Sequence, residues 1–219
     1  MKTIFAFDFS INKPAMCIYH NNEIYFYTWP LNIDNKSELL LTDCNINVNN
    51  RQLNSIDKKK YDSNSLILEH TNRCSMLTSM ILNDIISFIN KHSINIDDII
   101  ISSEGLSYGS NGDATLNLAA YKQSLLVKFY EYGLKNIKTY APITIKSVAG
   151  RSKKGERSKT EMIDALKNEN KIHKFIETLI DNPDKLKKKT AFIQTVDDLV
   201  DAYWCLKTTI VKENLEIYI

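Results

Sequence analysis

Thr3-Ile4-Phe5-Ala6-Phe7-Asp8-Phe9-Ser10-Ile11 is the stretch on which the fold turns. Its density of β-branched and aromatic residues marks a buried strand. Period-two alternation sets Phe5, Phe7 and Phe9 on one face and Asp8 on the other. A carboxylate inside so apolar a strand is costly to bury unless it is paired, protonated or bound to a metal. A structural Asp satisfied at the strand end meets the same requirement, so Asp8 decides nothing by itself.

Working outward, Ala15 to Tyr19 and Glu23 to Trp29 read as two further strands, joined by the turn residues His20-Asn21-Asn22. Pro30 to about Asp62 is rich in Asn, Asp, Lys and Ser, has no clear period, and reads as a loop or insertion. From Ser63 to Lys91 apolar residues recur at helical spacing, at Leu66, Cys74, Leu77, Ile81, Ile85, Phe88 and Ile89. Asp98 to Glu104 is a fourth strand. After the Gly-rich stretch Gly105 to Gly112, a helix from Asp113 to Tyr132 stops at Gly133. Ile137 to Tyr140 is a fifth strand, Pro142 starts a helix, another begins near Ser158 to Thr160, and a last one covers about Asp197 to Lys212. This order implies an α/β fold in one domain over residues 1–219, with a mixed five-stranded sheet whose first three strands are antiparallel, flanked by helices. A second insertion is expected near 171–190.

The chain has 219 residues, 43% hydrophobic and 25% charged, as in an ordinary globular protein. No apolar run reaches the roughly 18 to 20 residues that span a bilayer, so no membrane is expected. Cys17, Cys44, Cys74 and Cys205 are scattered with no CxxC pair, which argues against a zinc site and fits reduced thiols in a cytosol. His20, His70, His92 and His173 show no ligand spacing. The net charge of +2 hides an asymmetry: Lys135 to Lys189 holds 15 Lys/Arg against 7 Asp/Glu, leaving the rest of the chain at −6. A solvated surface explains any one lysine-rich segment. A basic half set against an acidic one also suits a protein that holds a polyanion beside a cation site.

Two more groups of acids join Asp8. Glu104 ends Ile99-Ile100-Ile101-Ser102-Ser103-Glu104, and functional groups gather at strand ends where the adjoining loops are free to vary. Asp197, Asp198 and Asp201 lie in Thr195-Val196-Asp197-Asp198-Leu199-Val200-Asp201-Ala202. Asp198 and Asp201 share one helix face, as do Asp197 and Asp201. A plainer reading makes Thr195 an N-cap with Asp198 favoured by the helix dipole, which accounts for Asp197 and Asp198 better than for Asp201. If these acids converge, like charges at 4 Å repel by about 4 kcal/mol at an effective dielectric of about 20, and a cation is needed. All-oxygen ligands suit Mg²⁺ or Mn²⁺, and a pair of such ions can hydrolyse a phosphodiester.

The order of these elements resembles the RuvC family of Holliday-junction resolvases, within the RNase H-like nucleases. That family carries Asp in the first strand, Glu at the end of the fourth, and Asp-x-x-Asp-Ala on the last helix; here stand Asp8, Glu104 and Asp198-Leu199-Val200-Asp201-Ala202. Tyr140-Ala141-Pro142, Lys146, Gly150 and Lys159 match a second family block. The resemblance implies an RNase H-like fold and two Mg²⁺ ions, replaceable by Mn²⁺, on Asp8, Glu104, Asp198 and Asp201. It implies in-line cleavage leaving 5′-phosphate and 3′-hydroxyl ends, with Lys146 and Lys159 as catalytic basic residues on the DNA backbone. Arg151, Lys153, Lys154 and Arg157 would add phosphate contacts. Tyr108 would stack on an unpaired base, although a tyrosine packed on its own loop fits equally. The implied partners are a four-way DNA junction and a second copy of the chain, in recombination and repair. The helix from Ser63 to Lys91, with Met76, Leu77 and Met80, is the candidate dimer contact; core packing is the commoner role of such a stripe.

The sequence departs from the family at Asp8-Phe9-Ser10, where Asp-Pro-Gly is usual, and in the long gap from Asp8 to Glu104. These departures bear on junction specificity more than on metal-dependent cleavage. They fit a divergent phage or viral branch working in the host cytoplasm; AT-rich coding also accounts for the Asn, Ile and Lys bias. Competing readings are another RNase H-like nuclease acting on flaps, forks or RNA–DNA hybrids, and a DNA-binding relative without catalysis. A related ATPase fold would need Gly-rich phosphate loops, and no Gly follows Asp8 closely.

Overall fold

The computed structural model describes residues 2–53, 62–105, 112–150, 159–167, 169, 191–217 and 219. The strands are β1 (Thr3–Asp8), β2 (Ala15–His20), β3 (Glu23–Thr28), β4 (Ile46–Val48), β5 (Ile99–Glu104) and β6 (Ile137–Tyr140). The helices are α1 (Asn35–Asp43), α2 (Ser63–His92), α3 (Gly112–Tyr132), α4 (Pro142–Val148), α5 (Lys159–Lys167) and α6 (Ala191–Lys212). The sheet order is β4-β3-β2-β1-β5-β6. β1, β2 and β3 form an antiparallel meander, while β5 and β6 run parallel to β1.

Asn21 and Asn22, with φ of 51° and 64°, make the tight turn between β2 and β3. Such a pair of positive φ values suits the right-handed twist of the flanking strands. Gly133 ends α3 at φ 104°, a conformation that costs a glycine little.

The alternation in β1 divides the interior into two layers. Phe5, Phe7 and Phe9 pack with Leu77, Ile81, Ile85 and Phe88 of α2 and with Tyr121, Leu125 and Phe129 of α3. Ile4 and Ala6 face the other way, into a cluster built by α6 with parts of α1, α4 and α5. Leu77 is therefore fully buried core, whereas Met76 is 37% exposed. Among the described residues no helix is long and apolar enough to cross a membrane.

Two sequence expectations need correction. The segment from Pro30 to Asp62 is not simply a loop: it holds α1 and β4, and β4 pairs parallel with β3, so the sheet has six strands rather than five. Its helix was hidden because only Ser37 and Leu41 of α1 are buried, too few to print a period on a polar sequence. The Asp34 carboxylate, accepting from the Ser37 amide at 2.9 Å, supplies its N-cap. Second, α6 starts at Ala191, not near Asp197. Thr195 is fully buried inside it and cannot be an N-cap, so helix capping does not account for Asp197 and Asp198. The expected insertion near 171–190, and residues 54–61, lie outside the described residues.

Candidate functional site

The register of β1 and β5 builds the site. Ala6 pairs with Ser102 and Phe7 with Ser103, so Asp8 and Glu104 are the next step of the same parallel ladder. Parallel neighbours sit about 4.8 Å apart and point to one face. That face is the one α6 covers: the Ser102 hydroxyl lies 3.1 Å from the Cys205 thiol and accepts from the Thr209 hydroxyl at 2.6 Å. Two residues beyond Ser102 along the strand, Glu104 points the same way.

On α6 the stripe continues toward the same end of the sheet. Asp201 is one turn before Cys205, and Asp198 nearly a turn before that. Asp198 is tied to the end of β1, because its carboxylate accepts from the Ser10 hydroxyl at 3.2 Å. The Ser10 hydroxyl also receives the Lys13 amide at 2.9 Å, and the Lys13 ammonium donates to the Gln194 side chain on α6. Asp197 and Asp198 are each 9% exposed, so neither is turned to bulk water.

The electrostatics report the same convergence. Burial pushes the Cys205 thiol up to about 12, and the charges of Glu104 and Asp8 add to the rise. Cys205 thus feels both strand-end acids from the helix above them. The register sets Asp8 and Glu104 side by side, and two like charges 4 to 5 Å apart would repel by about 3 to 4 kcal/mol at an effective dielectric of about 20.

Two buried lysines stand here that sequence reasoning missed. Lys13 is one; Lys122 of α3 is the other, at 8% exposure. The Lys122 ammonium donates to the main-chain carbonyl of Glu104. Burial pulls its pKa below the usual lysine value, while Cys205, Glu104 and Asp8 oppose that fall. The available signal was positional: Lys122 follows Tyr121 on the face that also buries Leu125 and Phe129, where a lysine has no ordinary place.

Gly105 lets β5 leave the sheet beside this site. Its amide donates to the Tyr140 carbonyl at 2.7 Å, and a Cβ there would sit 3.3 Å from that oxygen. Tyr140 is the register partner of Glu104. Pro142 then opens α4 directly after β6, so half-buried Lys146 lies on a helix that packs against α6. Lys159 is the first residue of α5. Tyr108, Arg151, Lys153, Lys154 and Arg157 lie outside the described residues.

The donors at this end of the sheet are carboxylate oxygens, which suit a hard divalent cation such as Mg²⁺ or Mn²⁺. Among the described residues no group of three or more His, Cys, Asp or Glu side chains is arranged to hold a metal ion. The acids share one end of the sheet without closing on a common point.

No family model matches the chain, and no curated protein matches it by sequence. Solved structures match by fold. Thermus thermophilus RuvC in complex with a Holliday junction substrate superposes with a TM-score of 0.52, over 99% of this chain and 97% of that one, at 9% identity. A second Thermus thermophilus RuvC structure scores 0.48 at 10% identity, covering 97% and 96% of the two chains. The architecture is the RNase H-like α/β fold of RuvC, with a mixed sheet of six strands.

Proposed function

We propose that this protein is a divalent-metal-dependent endonuclease that acts on branched DNA, resolving four-way junctions by paired nicks. The observation that carries the reading is the shared register of Asp8 and Glu104 at adjacent parallel strand ends, beneath the α6 face that bears Asp198 and Asp201. Similarity to a RuvC structure bound to a Holliday junction supplies the substrate class.

In this reading Asp8, Glu104, Asp198 and Asp201 are the ligands of two Mg²⁺ ions, for which Mn²⁺ substitutes. Ions held there would lower the pKa of water and stabilise charge on the phosphodiester oxygens. The Ser10 hydroxyl orients Asp198, which is why Asp198 rather than Asp197 is taken as the ligand. Lys146 and Lys159 engage the DNA backbone near the scissile phosphate, and Arg151, Lys153, Lys154 and Arg157 hold further phosphates without reading sequence. Tyr108 stacks on a base at the crossover. Nicks in both strands require two sites, so the working form is a homodimer.

The test compares a four-way junction, a linear duplex and an RNA–DNA hybrid, each with Mg²⁺, for wild type and Asp8→Asn. Symmetric nicks confined to the junction, carrying 5′-phosphates and lost in Asp8→Asn, support the proposal. Equal cutting of hybrid or duplex replaces it with a general RNase H-like nuclease. Cutting that survives Asp8→Asn, or no cutting of any substrate, removes the catalytic reading.

A further inference from the structure

The buried cation beside the acids has no part in the scheme above. Lys122 leaves α3 from the layer packed under Phe5 and Phe7, yet its ammonium reaches the end of β5 and binds the Glu104 carbonyl. An ammonium is expensive to withdraw from water unless charges or dipoles compensate for it. Here one carbonyl bond is joined by the fields of Cys205, Glu104 and Asp8, which oppose the fall that burial imposes on the lysine pKa. Solubility does not explain a lysine so little exposed, and an apolar residue would serve the Tyr121, Leu125 and Phe129 face better.

We infer that Lys122 is a tethered counter-charge of the acid site, a positioning residue that fixes the end of β5 through the Glu104 carbonyl and offsets the Asp8–Glu104 repulsion in the metal-free protein. The inference rests on the metal-site reading above. One consequence is unusual for a residue beside metal ligands. A fixed positive charge near the carboxylates opposes an incoming dication, so removing it strengthens divalent binding, whereas a purely mechanical clamp would weaken binding when cut. A second consequence concerns stability: the role is one a divalent ion can take over.

The experiment is Mn²⁺ titration by calorimetry, with thermal melts in EDTA and in Mn²⁺, on wild type, Lys122→Met, Lys122→Gln and Lys122→Arg. Methionine keeps the unbranched length and removes the charge. Expected is Mn²⁺ binding about tenfold tighter in the Met and Gln variants, because a unit charge is removed from beside a dication. Their melting points fall in EDTA, and Mn²⁺ raises them by more than it raises the wild type. Lys122→Arg, which keeps the charge, binds within about twofold of wild type. Binding in the neutral variants that is unchanged or weaker overturns the inference. So does failure of both neutral variants to fold even with Mn²⁺ present, since an ion should then replace the ammonium. If wild type binds no Mn²⁺, or Asp8→Asn binds it as well as wild type does, the metal-site reading itself fails.

Discussion

Arg51 buries a guanidinium at 4% exposure and spends it on main-chain carbonyls. It donates to Trp29 at 2.8 Å, Ile11 at 2.8 Å and Asn12 at 3.0 Å. Burial brings its pKa down to about 10, still charged at neutral pH. The fork geometry lets one side chain satisfy three carbonyls, two of them in the segment that carries Ser10 away from Asp8. Arg51→Met should therefore cost about 3 kcal/mol, since the orphaned carbonyls lose their partners without regaining water. Urea denaturation measures this, and a loss under about 1 kcal/mol would show that the guanidinium is dispensable. His20 makes a different kind of prediction. Its Nδ1 shares a 2.9 Å hydrogen bond with the Thr3 hydroxyl, its ring meets His92 at 5.1 Å, and the Nε2 atoms of both histidines are buried without a hydrogen-bond partner among the described residues. Burial, with His92 adding and Glu23 opposing, lowers the His20 pKa. The folded state thus prefers the neutral ring. Its contribution is whole above the ordinary histidine pKa of about 6.5 and is lost as the pH falls below it. Urea midpoints should drop from pH 7.5 to 5.5, and His20→Phe should flatten that drop; parallel curves for the two proteins would assign it elsewhere.

At the scale of elements, the site depends on how closely α6 lies on β1 and β5. Ala202, fully buried and next to Asp201, lies within the α6 cluster that packs on Ile4 and Ala6 of β1. Ala202→Leu adds volume to a filled interior, which costs about 1 to 3 kcal/mol and pushes helix from sheet. Because Asp198 and Asp201 ride on α6 while Asp8 and Glu104 ride on the sheet, Mn²⁺ affinity should fall together with the melting point. Thr209→Val, at the far end of the contact with Ser102, should lower stability by about 1 kcal/mol and leave Mn²⁺ affinity unchanged. Equal effects of the two substitutions on Mn²⁺ binding would show that α6 does not set the site. The same elements show what a sequence can and cannot carry. β1, β3, β5 and β6 were legible from their β-branched and aromatic residues, β2 as an apolar run leading into the turn at Asn21-Asn22, and α2 because Leu77, Ile81, Ile85 and Phe88 repeat at helical spacing. β4 has three residues, too short for any period, and α1 buries too little to differ from a polar loop. The start of α6 departs from the sequence expectation because Thr195 followed by aspartates mimics a capping sequence, and the helix continues through it under tertiary packing. Glu104 was legible as an acid at a strand end, Asp8 as an acid inside an apolar strand, and Asp198 and Asp201 as acids on one helix face; the common register of Asp8 and Glu104 was not, since pairing is a property of two strands. Lys122 stands out in the sequence only as a lysine on an apolar helix face; its part in the site comes from Glu104, 18 residues away and in another layer.

Over the whole molecule, charge is divided between an acid end of the sheet and a basic stretch of chain. Residues 135–189 carry an excess of 8 positive charges while the remainder carries −6, so a polyanion is attracted by one part and repelled by the other. Phosphate contacts set affinity and its dependence on salt, and carry no sequence or branch information. With Lys146, Arg151, Lys153, Lys154, Arg157 and Lys159 each neutralising a phosphate, log K should fall against log salt with a slope near −5, which is about 10³-fold between about 50 and 200 mM. Replacing Lys153, Lys154 and Arg157 together by Ser should bring the slope near −3, because each lost contact removes about 0.9. Binding is measured by fluorescence anisotropy in EDTA, so that nothing is cut, on a four-way junction and on a duplex of the same sequence. The junction and the duplex should weaken by the same factor in the triple variant, leaving the preference for the junction intact. If the slope stays near −5, the basic stretch is solvated surface and the polyanion is held elsewhere. If the slope falls but the junction preference disappears with it, these residues recognise the branch itself, and the division between charge that binds and geometry that selects has to be redrawn.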